Sequence, residues 1–220
     1  MIAVSLLISG KIGNANEIYI SQISDDLSLE IQQRSQDNYV SLTGSGDVND
    51  IIIYQGIHAD GTIDVDETGG HEAYWTVTGD SNDLLSSQTD TNRAGGGGAP
   101  HHLANIINGD NNLVNHTQMG KAGHDGFIEI QGNNNTVDLY QRGNGGQQWA
   151  DIVLNGNGHV IDSSQRGTMS HSLAVDLTNG GGAYTFTSTQ TTNNNTTSKS
   201  YSLTGTCTNS SGCAINISQN

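Results

Sequence analysis

Five of the eight histidines, His71, His101, His124, His159 and His171, stand at or near positions that asparagine takes elsewhere in the chain. Imidazoles repeated along one edge could bind a metal ion or sense pH. The simpler reading makes them turn-side hydrogen-bonding substitutes for asparagine. His101 and His102 form a further pair in a loop. The acidic run Asp60, Asp64, Asp66 and Glu67 could hold Ca2+, yet it lacks EF-hand spacing and no calcium-binding nonapeptide recurs. It reads as a solvated cluster that discourages edge pairing. Trp75 and Trp149 could stack on sugars, but Trp75 falls in the inward register and is assigned to the core. Thr185, Thr187 and Thr189 alternate along a row that could order water or meet a carbohydrate; β-propensity alone accounts for them. There is no nucleophile elbow, no His-Glu-x-x-His and no phosphate loop, so neither catalysis nor a cofactor or metal is expected.

The elements that must carry these residues follow from one register. Asn16, Leu27, Asn38 and Asn49 fall 11 residues apart, as do Gln22, Gln33, Gly44 and Gln55. Between them, apolar residues occupy every second position: Ile18 and Ile20, Leu29 and Ile31, Val40 and Leu42, Ile51 and Ile53. Alternation of this kind marks half-buried strands. A repeat this short is one rung of a stack. The register resumes with Ala73, Trp75 and Val77, continues through Asn82 and Gln88, and is clearest from 101 to 177. That stretch holds Asn112 with Gln118, Asn135 with Gln141, and His159 with Gln165; Ile215, Ile217 and Gln219 close the series. Insertions fall at turns: Thr89–Pro100 with its run Gly95–Gly98, Gly145-Gly146 and Gly180–Gly182. The segments 57–70 and 180–212 carry a degenerate pattern.

Two 11-residue halves make a 22-residue coil of two facing strands. The expected fold is therefore all-β: a β-solenoid of about nine stacked coils over residues 16–220, roughly 43 Å long at ~4.8 Å per coil. Buried Asn and Gln should form ladders in which each amide donates to its copy in the next coil. Glycines two residues past the Gln position suit bends needing positive φ. These are Gly46, Gly79, Gly109, Gly120, Gly132, Gly143, Gly156 and Gly167.

The recurrence of Gln-x-Gly with apolar alternation resembles the curlin repeat of bacterial curli amyloid subunits. Gln118-x-Gly120, Gln141-x-Gly143 and Gln165-x-Gly167 carry it, with Asn112 and Asn135 opening their rungs, and it covers about two-thirds of the mature chain. The resemblance implies an exported β-solenoid that stacks end to end into cell-surface fibres of a biofilm matrix, with itself or a related subunit as partner. The chain departs from the family at Gly44, Val77, Ile107, Ile130, Leu154 and Leu177, where Gln is replaced, and no Gly/Asn-rich leader follows Ala15.

Composition bounds the rest. Hydrophobic residues make up only 33% of 220, which suits a thin core rather than a spherical one. Seven Lys and Arg against 22 Asp and Glu leave a net charge of -15, which repels nucleic acids and anionic lipid surfaces. Membrane insertion is not expected, since no later stretch is long and apolar enough for a spanning helix. Residues 1–15 read as an export signal truncated at its start: an apolar run, Ile2–Ser9, precedes the small-residue site Gly13-Asn14-Ala15. The alternative is a first buried strand. Cys207 and Cys213, in an exported chain, read as a disulfide that tightens the terminal rung. A second function class stays open: a capped, non-polymerising solenoid adhesin, cellular or phage-borne, that meets surface carbohydrate or a protein receptor.

Overall fold

The structure, a computed structural model, describes residues 3–9, 16–23, 26–34, 36–56, 69–90, 99–177, 182–192, 197–205, 207, 209 and 211–219. The acidic run at 60–67, the glycines at 95–98 and most of the degenerate segment 57–70 lie outside them. Among the described residues there are strands and turns and no helix. Consecutive strands alternate between two sheets in which every pair is parallel. The first sheet has nine strands in the order β1 (Ala3–Ser9), β3 (Ser28–Arg34), β5 (Asp50–Gln55), β7 (Asp83–Thr89), β9 (Leu113–Met119), β11 (Thr136–Gly143), β13 (Val160–Gly167), β15 (Tyr184–Thr192) and β17 (Cys213–Gln219). The second has eight: β2 (Glu17–Ile23), β4 (Tyr39–Ser45), β6 (Glu72–Thr78), β8 (His102–Asn108), β10 (Asp125–Gln131), β12 (Gln148–Trp149), β14 (His171–Ala174) and β16 (Lys199–Ser202).

The period-two pattern decides which side of each strand is dry. In β3, Leu29, Ile31 and Gln33 are buried while Ser28, Glu30, Gln32 and Arg34 face out. In β4, Val40 and Leu42 point inward from the opposite sheet. The core is the single layer between the sheets. Trp75 and Phe186 are its largest members, and Trp75 is 1% exposed. A slip of one residue would turn every such row to solvent, so the register is strongly specified. Like lies over like: Gln55 pairs in register with Gln88, Gln88 with Gln118, and Gln118 with Gln141.

Ala3–Ser9, within the stretch read as an export signal, pairs along β3 from Ala3 against Ser28 to Ser9 against Arg34. One of the nine strands thus comes from that stretch, and residues 16–220 supply eight. The remaining length goes into turns. Successive ladder glutamines in the first sheet are separated by 22, 33, 30, 23, 24, 25 and 29 residues, so the interval is 22 at its shortest and varies with the length of the turns between strands.

Candidate functional site: the side-chain ladders and the outer strand edges

Three columns of buried polar side chains run the length of the stack. The first is a glutamine ladder confined to one sheet. Gln33 Nε2 donates to Gln55 Oε1 at 2.8 Å, and the same bond repeats through Gln88, Gln118, Gln141, Gln165, Gln190 and Gln219 at 2.9–3.1 Å. Every bond points the same way, from the N-terminal to the C-terminal end. The second Nε2 hydrogen crosses the core to a backbone carbonyl of the facing sheet: Gln88 to Glu72 and His101, Gln118 to His102 and His124, Gln165 to Trp149. An amide so placed satisfies its own donors and also ties the two sheets together.

Gln22 does not belong to this column. It stands in the second sheet, in register with Gly44, where the column continues as Val77, Ile107 and Ile130. The 11-residue spacing joins it to Gln33 in sequence, but alternate rungs lie in opposite sheets. Gln190 was missed because it falls in the stretch whose pattern is degenerate. Its signal was Tyr184, Phe186 and Ser188 alternating ahead of it.

The other two columns occupy the turns. Where the chain enters the first sheet, the backbone N–H of Asn82 donates to Asn49 Oδ1, that of Asn112 to Asn82 and that of Asn135 to Asn112, at 2.9–3.0 Å. His159 and then Tyr184 extend the line. The Asn side chains also donate to glycine carbonyls of the next coil: Asn49 to Gly79, Asn82 to Gly109 and Asn135 to Gly156. Where the chain enters the second sheet, the acceptors run Asn16, Asn38, His71, His101 and His124, and the N–H of Gln148 closes the run. His171 repeats the contact with Lys199.

Each of these imidazoles presents Nδ1 to a backbone N–H, so Nδ1 must accept and Nε2 carries the proton. Nε2 then donates to a carbonyl at the end of the preceding strand: His101 to Thr89, His124 to Met119 and His171 to Arg166, at 2.9–3.0 Å. Asn38 does the same for Arg34, four residues back, whereas His124 and His171 reach five back. The longer ring spans the longer turn. His159 sits in the other, tighter corner, and its buried Nε2 has no partner. His71, His101 and His124 stack, with centroids 4.9 and 4.8 Å apart. Burial, then the neighbouring His71 and His124, hold His101 well below the ordinary imidazole range. Burial lowers His124 to about 4 and also lowers His159 and His171. Among the described residues, no three His, Cys, Asp or Glu side chains come together as a metal-binding set.

The turn glycines divide into two kinds. Gly46, Gly79, Gly109, Gly120 and Gly167 have φ between 110 and 146°, the left-handed side that glycine tolerates. Gly132, Gly143 and Gly156 do not, contrary to the expectation of positive φ at all eight. What Gly132 and Gly143 need is space: a Cβ on Gly132 would strike the Gly156 carbonyl, and one on Gly143 would lie 2.7 Å from the Gly146 oxygen. The left-handed residue common to the tight turns is the one before the ladder amide: Asp37, Val48, Ser81, Asn111 and Asn134, with φ of 55–61°.

Sequence reasoning also passed over a polar pair in the dry layer. His116 Nδ1 lies 3.3 Å from Asn105 Oδ1, both side chains fully buried, and the His116 ring fills the space left by Gly126. Burial lowers His116 to about 4. In the next rung the same positions are Leu139 and Ile128.

The outer strands are β1 and β17 in the first sheet and β2 and β16 in the second. Their inward rows are only half covered: Ile18 and Ile20 at one end, Tyr201, Leu203, Ile215 and Ile217 at the other, with Ile20 38% exposed. Cys207 and Cys213 form a disulfide whose second cysteine begins β17. Compared with protein-family models, with curated proteins and with solved structures, the chain matches none of them.

Proposed function

We propose that the chain is an exported β-solenoid that serves as a structural subunit or accessory of an extracellular, curli-like fibre, growing by end-to-end stacking of its coils. The observation that carries this reading is the one-way glutamine ladder ending at half-covered apolar rows on outer strands. A second copy placed in the same orientation continues both parallel sheets and the direction of the ladder, and buries Ile215 and Ile217 over Leu29 and Ile31 in one sheet and Tyr201 and Leu203 over Ile18 and Ile20 in the other. Identical contacts repeated by translation do not close, so they generate an open filament rather than a ring. Backbone pairing at the strand edge supplies the affinity. On this reading export removes residues 1–15, and β3 with Gln33 becomes the leading rung. The net charge of -15 keeps free subunits apart and soluble until they are concentrated.

The test is sedimentation and fibre diffraction of the purified chain from Asn16 onward. Growth with time and concentration, with a meridional spacing near ~4.8 Å, is expected. A chain that stays monomeric for days with no cross-β reflection ends the proposal. A capped solenoid adhesin is the second reading, favoured by the disulfide that fastens the turn leading into β17, the last strand of its sheet.

A further inference from the structure

Along the outward face of the second sheet aromatic side chains alternate between two neighbouring columns. Tyr19, Tyr39 and Tyr74 follow one another with ring centroids 5.7 and 5.3 Å apart. The next outward position in register with Tyr74 is Ala104, and the one after it is Phe127. Trp149 stands beside Phe127, in register with Asp125. Ala104 and Gly126 therefore floor a depression walled by Tyr74 on one side and by Phe127 and Trp149 on the other. Tyr74 is 42% and Trp149 49% exposed, so the rings are open to solvent.

Carboxylates rim the same depression, and no Lys or Arg lines it. Glu72 Oε2 accepts from the Tyr74 hydroxyl at 3.2 Å and lies 3.1 Å from His102 Nδ1. Asp125 is held by the Gln147 amide. Asp151 carries a raised pKa, through burial first and then through Asp176 and Glu129, so the surrounding field is negative. Anions are turned away from such a place. A neutral sugar ring would gain from the aromatic walls and could donate hydroxyls to the rim, but it gains nothing from the rim's charge. A cation gains from both, because the ring faces and the carboxylates attract positive charge together.

We propose that this gap is a binding site for an organic ammonium group, a quaternary ammonium or a lysine-like cation, seated over Ala104 between Tyr74 and Phe127. The site lies on the flank of the stack and does not depend on whether the chain polymerises. Choline chloride is the probe, followed by saturation transfer from the full-length protein to the choline methyl protons. Its uncharged isostere, 3,3-dimethylbutanol, and the neutral glycan cellohexaose run in parallel. Choline is expected to bind saturably and more tightly than either. The double variant Glu72→Gln with Asp125→Asn should weaken choline about fivefold, and Trp149→Leu about threefold, the scale of an exposed cation–π contact. Ala104→Tyr fills the gap with a ring that the neighbouring rung already accommodates, and should abolish binding while leaving the melting temperature unchanged. Equal binding of the isostere, binding of the glycan in place of choline, or unchanged choline binding in the Ala104→Tyr variant would each overturn the site.

Discussion

The two corners of the stack solve one problem with different chemistry. Both must give a partner to a backbone N–H where the chain enters a strand, and at most turns both do so with a side-chain acceptor from the preceding coil, His171 using the Gln147 carbonyl instead. At the asparagine corner the acceptor is, as far as Asn135, an amide oxygen that keeps its role at every pH; only beyond it does His159 take over, for Tyr184. At the histidine corner it is Nδ1 of a neutral imidazole, a role lost once the ring is protonated. In that corner His124 and His171 accompany longer turns: Nε2 of His124 reaches Met119, five residues back, where the Asn38 amide reaches Arg34, four back. Reach is gained and pH-independence is given up.

That contrast makes acidification the largest expected effect. His116 and His124 fall from an ordinary 6.5 to about 4 in the fold. Their unfolded forms therefore bind protons first, so the stability is complete above 6.5 and lost as pH falls towards 4. At 1.36 kcal/mol per pKa unit, each removes about 3 kcal/mol. Asp138, raised by burial and by Asp162, works in the opposite sense, since acid relieves its charge. Denaturant unfolding from pH 7 to pH 4 should show a steep loss. The double variant His101→Asn with His124→Asn should start slightly lower at pH 7 and fall less steeply. Curves that stay parallel would remove the titration argument.

Next in size is Gly109→Ala at the asparagine corner. Gly109 has φ 146° and its Cβ would run into the Gly132 carbonyl, which is backbone and held in the stack. A loss of about 4 kcal/mol is expected, in the range reserved for backbone strain and clash, and calorimetry measures it. Replacing the ladder amide in Gln118→Leu should cost about 3 kcal/mol, because two facing carbonyls lose their donor. The same change at Gln219 should cost under ~1 kcal/mol, as that end is wet. Equal losses at Gln118 and Gln219 would mean that the ladder adds nothing beyond packing. The smallest effect is a gain. Val48 is β-branched, 61% exposed and at φ 58°, where its counterparts in later turns are Asn111 and Asn134. Val48→Asn should stabilise by about 1 kcal/mol, read as a rise in the urea midpoint.

Much of the fold was legible because a parallel stack repeats the same contact. Alternation at Leu29, Ile31 and Gln33 already says which side is dry, and a fixed interval says what lies above what. The histidines read correctly as hydrogen-bonding stand-ins at the turn. Gln22 was not separable from Gln33, because an 11-residue interval is silent about which sheet a rung joins. Gly132 looks like Gly109 in sequence, yet one needs room and the other also a left-handed backbone.

The sequence by itself determined the period, the inward rows, the amide columns and the places where the chain tolerates inserts, since these depend only on neighbours along the strand and on one repeat interval. Tertiary structure alone decided the rest. It set the direction of the glutamine ladder, the tautomer each histidine must hold, the space that Gly126 leaves for His116, and the gap that Ala104 opens between Tyr74 and Phe127. Those depend on what the facing or adjacent coil places within a few ångströms, and no interval along the chain records that.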